Sequence, residues 1–133
     1  MTYNFERFGG YGEKLSRKIS ITKSSSFGIP PQLYQEEEIE QFTHALLFYE
    51  RSQHVIGIQF VIGGDNGGFK LIKYGHNDKK GATFVARSFF NAYHLDPQKI
   101  KGKYEAKKED VSGIGLLFMI GPIRDAEYGG DIE

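Results

Sequence analysis

Six residues, Gly63-Gly64-Asp65-Asn66-Gly67-Gly68, constrain this chain more than any other stretch of it. Four of the six are glycine, and glycine gives up so much conformational freedom in a regular element that neither helix nor strand runs through them cheaply. The run separates two stretches that present the same features in the same order. Before it, Ile19-Ser20-Ile21-Thr22 alternates apolar and polar residues in the manner of a half-buried strand. Ser24-Ser25-Ser26 turns the chain, and Phe27-Gly28-Ile29 carries it extended into Pro30-Pro31. Pro31 suits the first turn of a short helix, where its missing N–H costs nothing. Leu33 and Tyr34 face inward from that helix, and the glutamates that follow face outward. Residues 45–49 and 55–62 then form a hairpin across Glu50-Arg51-Ser52-Gln53.

After the glycines the order starts again. Phe69-Lys70-Leu71-Ile72-Lys73 alternates as a strand, 74–81 is a longer polar loop, and Thr83-Phe84-Val85 returns as a short strand. Residues 87–93 predict a helix with Phe89, Phe90 and Tyr93 on one face, ended by Asp96-Pro97. Residues 103–106 and 114–120 predict a second hairpin, across a turn containing Glu109 and Asp110. Ile19-x-Ile21-x-Lys23 answers Phe69-x-Leu71-x-Lys73, Leu33-Tyr34 answers Phe89-Phe90, and Ile39 answers Leu95. Ile56-Gly57-Ile58-x-Phe60 answers Ile114-Gly115-Leu116-x-Phe118, and a glycine inside an apolar strand marks a bulge or a close backbone approach. The expected fold is mostly β: one domain in which two β-β-α-β-β units build a barrel-like pseudo-dimer. Its parts are an N-terminal arm (1–16), a first repeat (17–62), the glycine connector (63–68), a second repeat (69–121) and an acidic tail (122–133).

A chain of 133 residues suffices for one apolar core. Its apolar share is only 39%, but eleven Phe and eight Tyr supply bulk. The sequence has no apolar run of membrane-spanning length, no basic and apolar leader at its start and no cysteine, so disulfides and thiolate chemistry are excluded. A cytoplasmic location is the matching expectation. The four histidines, His44, His54, His76 and His94, have no carboxylate at metal-ligand spacing. His44 and His54 flank a hairpin, and His76-Asn77-Asp78 marks the one loop worth watching for a catalytic group. The glycine run lacks the Gly-Lys-[Ser/Thr] ending of a phosphate loop. No catalytic residue, metal or cofactor is expected, and the chain is read as a binding protein.

Seventeen basic and seventeen acidic side chains cancel, which argues against coating nucleic acid by bulk charge. The charges are nevertheless grouped. Arg17, Lys18 and Lys23 precede or enter the first turn; Lys70, Lys73, Lys79, Lys80 and Arg87 follow the glycines. Glu36, Glu37, Glu38 and Glu40 stand against them, as does the tail with Asp125, Glu127, Asp131 and Glu133. The grouped cations are the candidate nucleic-acid contacts, neutralising phosphates from hairpin tips. If Lys23 and Lys73 precede equivalent turns, a pseudo-twofold sets both basic sites on one side. A single-strand version adds Tyr74, Phe84 or Tyr104 as stacking platforms. The rival from another class is a structural or protein-interaction module, with Phe5, Phe8 and Tyr11 of the arm as its contact and as the seam of a possible homodimer.

The stretch from Ile19 through Ser24-Ser25-Ser26 to Ile29-Pro30-Pro31-Gln32-Leu33, followed by strand, turn and strand, resembles the swapped-hairpin AbrB-type regulators and related antitoxins. The resemblance covers residues 17 to about 62, and the later residues only through the internal match. It implies a DNA-binding regulator or accessory factor in which two units interleave. By position it carries over Arg17, Lys18 and Lys23 as DNA contacts. The chain departs from the pattern in its serine turn, in the glutamates on the helix, in Val85-Ala86 where Ile-Pro is expected, and in the longer second loop.

Overall fold

The alternation read from the sequence becomes strands wherever each apolar position has a core to face. A computed structural model describes residues 17–64 and 67–123; the arm with Phe5, Phe8 and Tyr11, and the tail from Arg124, lie outside the described residues. The strands are β1 (Ile19–Ile21), β2 (Ser26–Ile29), β3 (His44–Glu50), β4 (Val55–Val61), β5 (Phe69–Lys70), β6 (Ile72–Tyr74), β7 (Gly81–Val85), β8 (Gly102–Tyr104), β9 (Lys107–Val111) and β10 (Gly115–Ile120). Three short helices, α1 (Pro31–Glu36), α2 (Arg87–Ala92) and α3 (Pro97–Ile100), join them, with single 3-10 turns at Ile39–Gln41 and Asn77–Lys79.

The strands form two five-stranded sheets, ordered β6-β7-β2-β1-β8 and β5-β3-β4-β10-β9, with every recorded pairing antiparallel. This is a two-sheet arrangement and not the closed barrel that the sequence suggested. Strands from before and after the glycine run share both sheets. At the centre of the first, β2 pairs with β7 (Phe27 opposite Phe84); at the centre of the second, β4 pairs with β10 (Ile58 opposite Phe118). Neither sheet is complete without residues from both stretches, so the glycine run does not separate two self-contained bodies.

Helix starts and stops follow local chemistry. Pro31 opens α1 after the extended Pro30, and the helix ends where Glu38 takes a left-handed backbone (φ 54°). After α2, His94 does the same (φ 56°). Asp96-Pro97, expected only to stop α2, also starts α3: the Asp96 carboxylate accepts the Gln98 N–H at 3.0 Å, and Pro97 takes the first helical position.

Between the sheets the core is aromatic at its centre. Phe27 stacks on Phe84 (ring centroids 5.0 Å) and on Phe90 (5.4 Å), with Phe89 edge-on at 6.4 Å. Leu33 and Tyr34 of α1 and Phe89 and Phe90 of α2 are buried, as their spacing predicted. Ile19, Ile21, Ile29, Ile56 and Ile58 complete the inner faces.

Two further expectations fail in detail. Glu109 and Asp110 are not in a turn; they belong to β9, and the chain reverses beyond Val111, where the Ile114 N–H donates to the Val111 carbonyl at 3.0 Å. The matched glycines also occupy unlike places. Gly57 lies in mid-strand, where an added Cβ would sit 2.9 Å from Leu117 Cδ1. Gly115 opens β10 with φ 111°, and Leu116 is 45% exposed where Ile58 is buried.

Candidate nucleic-acid interface

The first question for a phosphate-binding surface is where the eight candidate cations go. In the first sheet the antiparallel β2–β7 pair is central, so the β1–β2 turn and the β6–β7 loop leave from opposite ends. A twofold through that pair cannot place both hairpin tips side by side. Lys23 lies in the β1–β2 turn, and Arg87 stands at the same end, because the Ala86 N–H donates to the Ser25 carbonyl at 2.8 Å. Lys73 is not in a turn at all: it is inside β6, opposite Ala82, and its Nζ donates to the Glu40 carbonyl at 2.6 Å. Lys79 and Lys80 stand in the β6–β7 loop at the far end, and Lys70 lies in β5 of the other sheet.

That far end also carries the glutamates of α1 and its following turn, and they absorb most of its positive charge. Arg17 bridges Glu36 and reaches Glu37 at 3.6 Å; Lys108 meets Glu37 at 2.8 Å; Lys80 lies 3.8 Å from Glu40. The Tyr34 hydroxyl donates a hydrogen bond to the Glu40 carboxylate. Burial first, then this bond, pushes the Tyr34 phenol well above its ordinary value, and the same bond holds the Glu40 carboxyl below its own. Exposed pairs of this kind stabilise little, but they leave Arg17, Lys73 and Lys80 with anionic or carbonyl partners already in place.

The outer face of the first sheet is different. A groove of about 570 Å³ crosses it, lined by Lys18, Ser20 and Thr22 of β1 and its flanks, Ser26 and Gly28 of β2, Thr83 of β7, Tyr74 of β6 and Lys103 of β8. The strand register explains the alignment: Ser20 sits opposite both Gly28 and Lys103, and Gly28 opposite Thr83. Successive side chains on a strand alternate faces, so the residues between the buried isoleucines all emerge on this side. Their small size makes the floor. At Gly28 an added Cβ would come 2.4 Å from Ser20 Oγ.

Tyr74 forms the groove's aromatic wall. Its ring crosses β7 at Gly81, where an added Cβ would lie 2.5 Å from the Tyr74 hydroxyl and 2.7 Å from ring Cζ, so a larger residue displaces the ring. Partial burial raises the phenol's pKa, and the side chain remains 46% exposed. Ile72 (54% exposed) and Val85 (42%) stand on the same face. Among the described residues the lining includes two lysines and no carboxylate. Thr22 Oγ1 is engaged in its own turn, accepting from the Ser24 and Ser26 N–H groups at 3.3 Å. Ser20 and Thr83 present their hydroxyls on the floor.

Of the proposed stacking rings, Tyr74 alone faces this groove. Phe84 is fully buried against Phe27, and Tyr104 packs on the core with its hydroxyl on the Ile100 carbonyl. His44 and His54, which flank the hairpin in the sequence, do not face each other across it. His44 pairs with Val61 at one end of the β3–β4 hairpin, while His54 sits in the turn at the other, its Nδ1 3.2 Å from the Tyr49 hydroxyl. His76 is exposed. Among the described residues no three His, Asp or Glu side chains are placed to hold a metal, and no helix is long and apolar enough to cross a membrane. Sequence reasoning missed Lys103 and the floor residues. The signal was there in Ile19-Ser-Ile-Thr and Ser26-Phe-Gly-Ile: strands whose outward positions carry only small side chains. Comparison of this chain with protein-family models, with characterised proteins and with solved structures finds no match.

Proposed function

We propose that the chain binds single-stranded nucleic acid across the outer face of its first sheet. One observation carries this reading: the groove there combines a partly exposed tyrosine ring, a lysine beside β1 and another on β8, and a floor of small side chains, with no carboxylate among its described lining residues. Sequence-tolerant single-strand binding needs the same parts, a cationic track for the backbone and a ring for a base to stack on. Lys18 and Lys103 flank the track, Tyr74 offers the platform, and the hydroxyls of Ser20 and Thr83 meet sugar or base edges. The reading keeps Lys18 and Tyr74 from the sequence and adds Lys103. It sets aside duplex binding by paired hairpin tips, because those tips diverge.

We further infer that the two stretches flanking the glycine run are copies of one unit, interleaved as in the AbrB-type pattern. The helical segments support it best. The helix starts Pro31 and Arg87, the buried pairs Leu33-Tyr34 and Phe89-Phe90, the left-handed Glu38 and His94, and the apolar Ile39 and Leu95 all keep one constant spacing. Crossed pairings support it too: β1 pairs with β8 as β5 pairs with β3, each the first strand of one stretch against the first strand that follows the helical segment of the other. The Gly57/Gly115 match adds nothing to it.

The test is titration of a fluorescent oligothymidylate of about twelve nucleotides over a salt series. Affinity is expected to fall steeply between roughly 50 and 200 mM salt, and Lys18→Ala and Lys103→Ala each to flatten the logarithmic slope by about 0.7. Tyr74→Ala is expected to weaken binding by about 1–3 kcal/mol at every salt concentration. Absence of binding at the lowest salt ends the proposal. Binding of a duplex of equal length with the larger slope returns the argument to Lys23 and Arg87.

A further inference from the structure

We infer that the open edge of β3 accepts an extended, acid-flanked peptide strand from a partner protein, at a surface distinct from the groove on the first sheet. The backbone supplies the first part of the case. On this side of β3 the Leu71 N–H donates to the Thr43 carbonyl at 2.9 Å, and His44 and Ala45 pair with Lys70 and Phe69. The pairing stops there. Peptide groups along a strand alternate sides, so Leu47 and Tyr49 continue the series that begins with Thr43 and Ala45, and no strand among the described residues pairs with them.

The two edges of this sheet are treated in opposite ways. At the far edge β9 carries Lys107, Lys108, Glu109 and Asp110 in succession, and Lys108 is tied to Glu37 at 2.8 Å. Charges of this kind stop an edge from recruiting another strand. From Ala45 to Tyr49, β3 has none. Beside it α2 forms a second wall, leaving a groove of about 490 Å³ lined by Leu46, Leu47, Phe48, Phe69, Phe89 and Ala92 with Ser88 and Gly67. An edge strand facing a helix across an apolar groove is the geometry of β-strand addition, in which main-chain bonds give affinity and alternate side chains fill pockets.

Charge selects the occupant. Lys70 follows the lining residue Phe69, Arg87 precedes Ser88, and Arg51 follows the end of β3 with its guanidinium 5.1 Å from the Tyr93 ring centroid. Against them, among the described residues, stands Glu50, whose carboxylate already accepts the Ser52 hydroxyl at 3.1 Å. The fitting ligand is a strand with apolar residues at alternate positions and a carboxylate beyond each end.

The probe is a fluorescent synthetic peptide alternating valine and threonine between terminal glutamates, titrated by anisotropy with the full chain. It is expected to bind, and N-methylation of alternate peptide nitrogens to abolish binding. Lysine in place of both glutamates is expected to weaken it by roughly tenfold. Arg51→Glu with Arg87→Glu, both exposed positions, is expected to reverse that preference while the thermal midpoint holds. Equal binding of native and N-methylated peptides overturns the proposal, as does no binding. Concentration-dependent dimerisation that excludes the peptide also overturns it, assigning the edge to a second copy. Binding that appears only after removal of residues 124–133 overturns it in favour of the chain's own tail. None of these outcomes bears on oligothymidylate binding at the other sheet.

Discussion

Phe27→Ala is expected to destabilise the fold by about 3–5 kcal/mol, the range for removing a fully buried phenylalanine. Phe27 has no exposed surface, sits on the central strand of its sheet opposite Phe84, and touches three other rings at 5.0, 5.4 and 6.4 Å. Such ring pairs add about 0.5–1.5 kcal/mol each beyond the area they bury, which places the cost in the upper part of that range. Because Phe84, Phe89 and Phe90 all follow the glycine run, the loss falls on the join between the two stretches. Phe27→Leu keeps most of the volume but loses all three ring pairs, and should cost at least about 1.5 kcal/mol while remaining below Phe27→Ala. Val85→Ala, on the exposed face of a neighbouring strand, should stay within about 0.5 kcal/mol. Guanidinium denaturation followed by near-ultraviolet circular dichroism and tyrosine fluorescence measures all three, since the chain has no tryptophan. A Phe27→Ala penalty of about 1 kcal/mol or less, or one no larger than that of Val85→Ala, refutes the view that this ring cluster joins the two stretches.

Three other outcomes are expected. Tyr34→Phe removes the bond to Glu40: the raised phenol stabilises the fold below the ordinary tyrosine value of 10.0 and loses that effect as pH climbs beyond it, while the depressed Glu40 stabilises above the ordinary carboxylate value of 4.5 and loses that effect as pH falls. Thermal midpoints of Tyr34→Phe should therefore fall less at both extremes, and profiles parallel to the parent's would rule the coupling out. Gly28→Val fills the groove floor, where even a Cβ meets Ser20 Oγ; oligothymidylate affinity should drop at least as far as with Tyr74→Ala, and unchanged affinity would move the ligand elsewhere. A fragment of residues 17–64 should be unfolded by circular dichroism and gain structure on mixing with 67–123, because β2 and β4 each lack their central partner without the later strands; a folded fragment alone contradicts the interleaved reading.

Local chemistry was legible in the sequence, and distant pairing was not. Ile19-x-Ile21, Phe27-x-Ile29 and Pro31 announce their strands and helix through alternation and a fixed φ, because each signal lies within a few residues. The β9 strand was hidden behind Lys107-Lys108-Glu109-Asp110, a run that reads as a turn until its place at a sheet edge shows what the charges do. The candidate site failed for a similar reason. Lys73 and Lys80 look available in one dimension, yet the fold brings Glu40 to both. Lys103 lies far along the chain from Ser20, and only the β1–β8 register makes them neighbours.

The order of the second sheet also bears on how the chain reaches its fold during synthesis. Its last-made strand, β10, lies between β4 and β9. The β3–β4 hairpin, though long complete, must wait for it with Ile56, Ile58 and Phe60 uncovered. Such non-local closure makes for slow folding, and until β10 arrives the uncovered face of β4 is open to the β10 of a neighbouring copy.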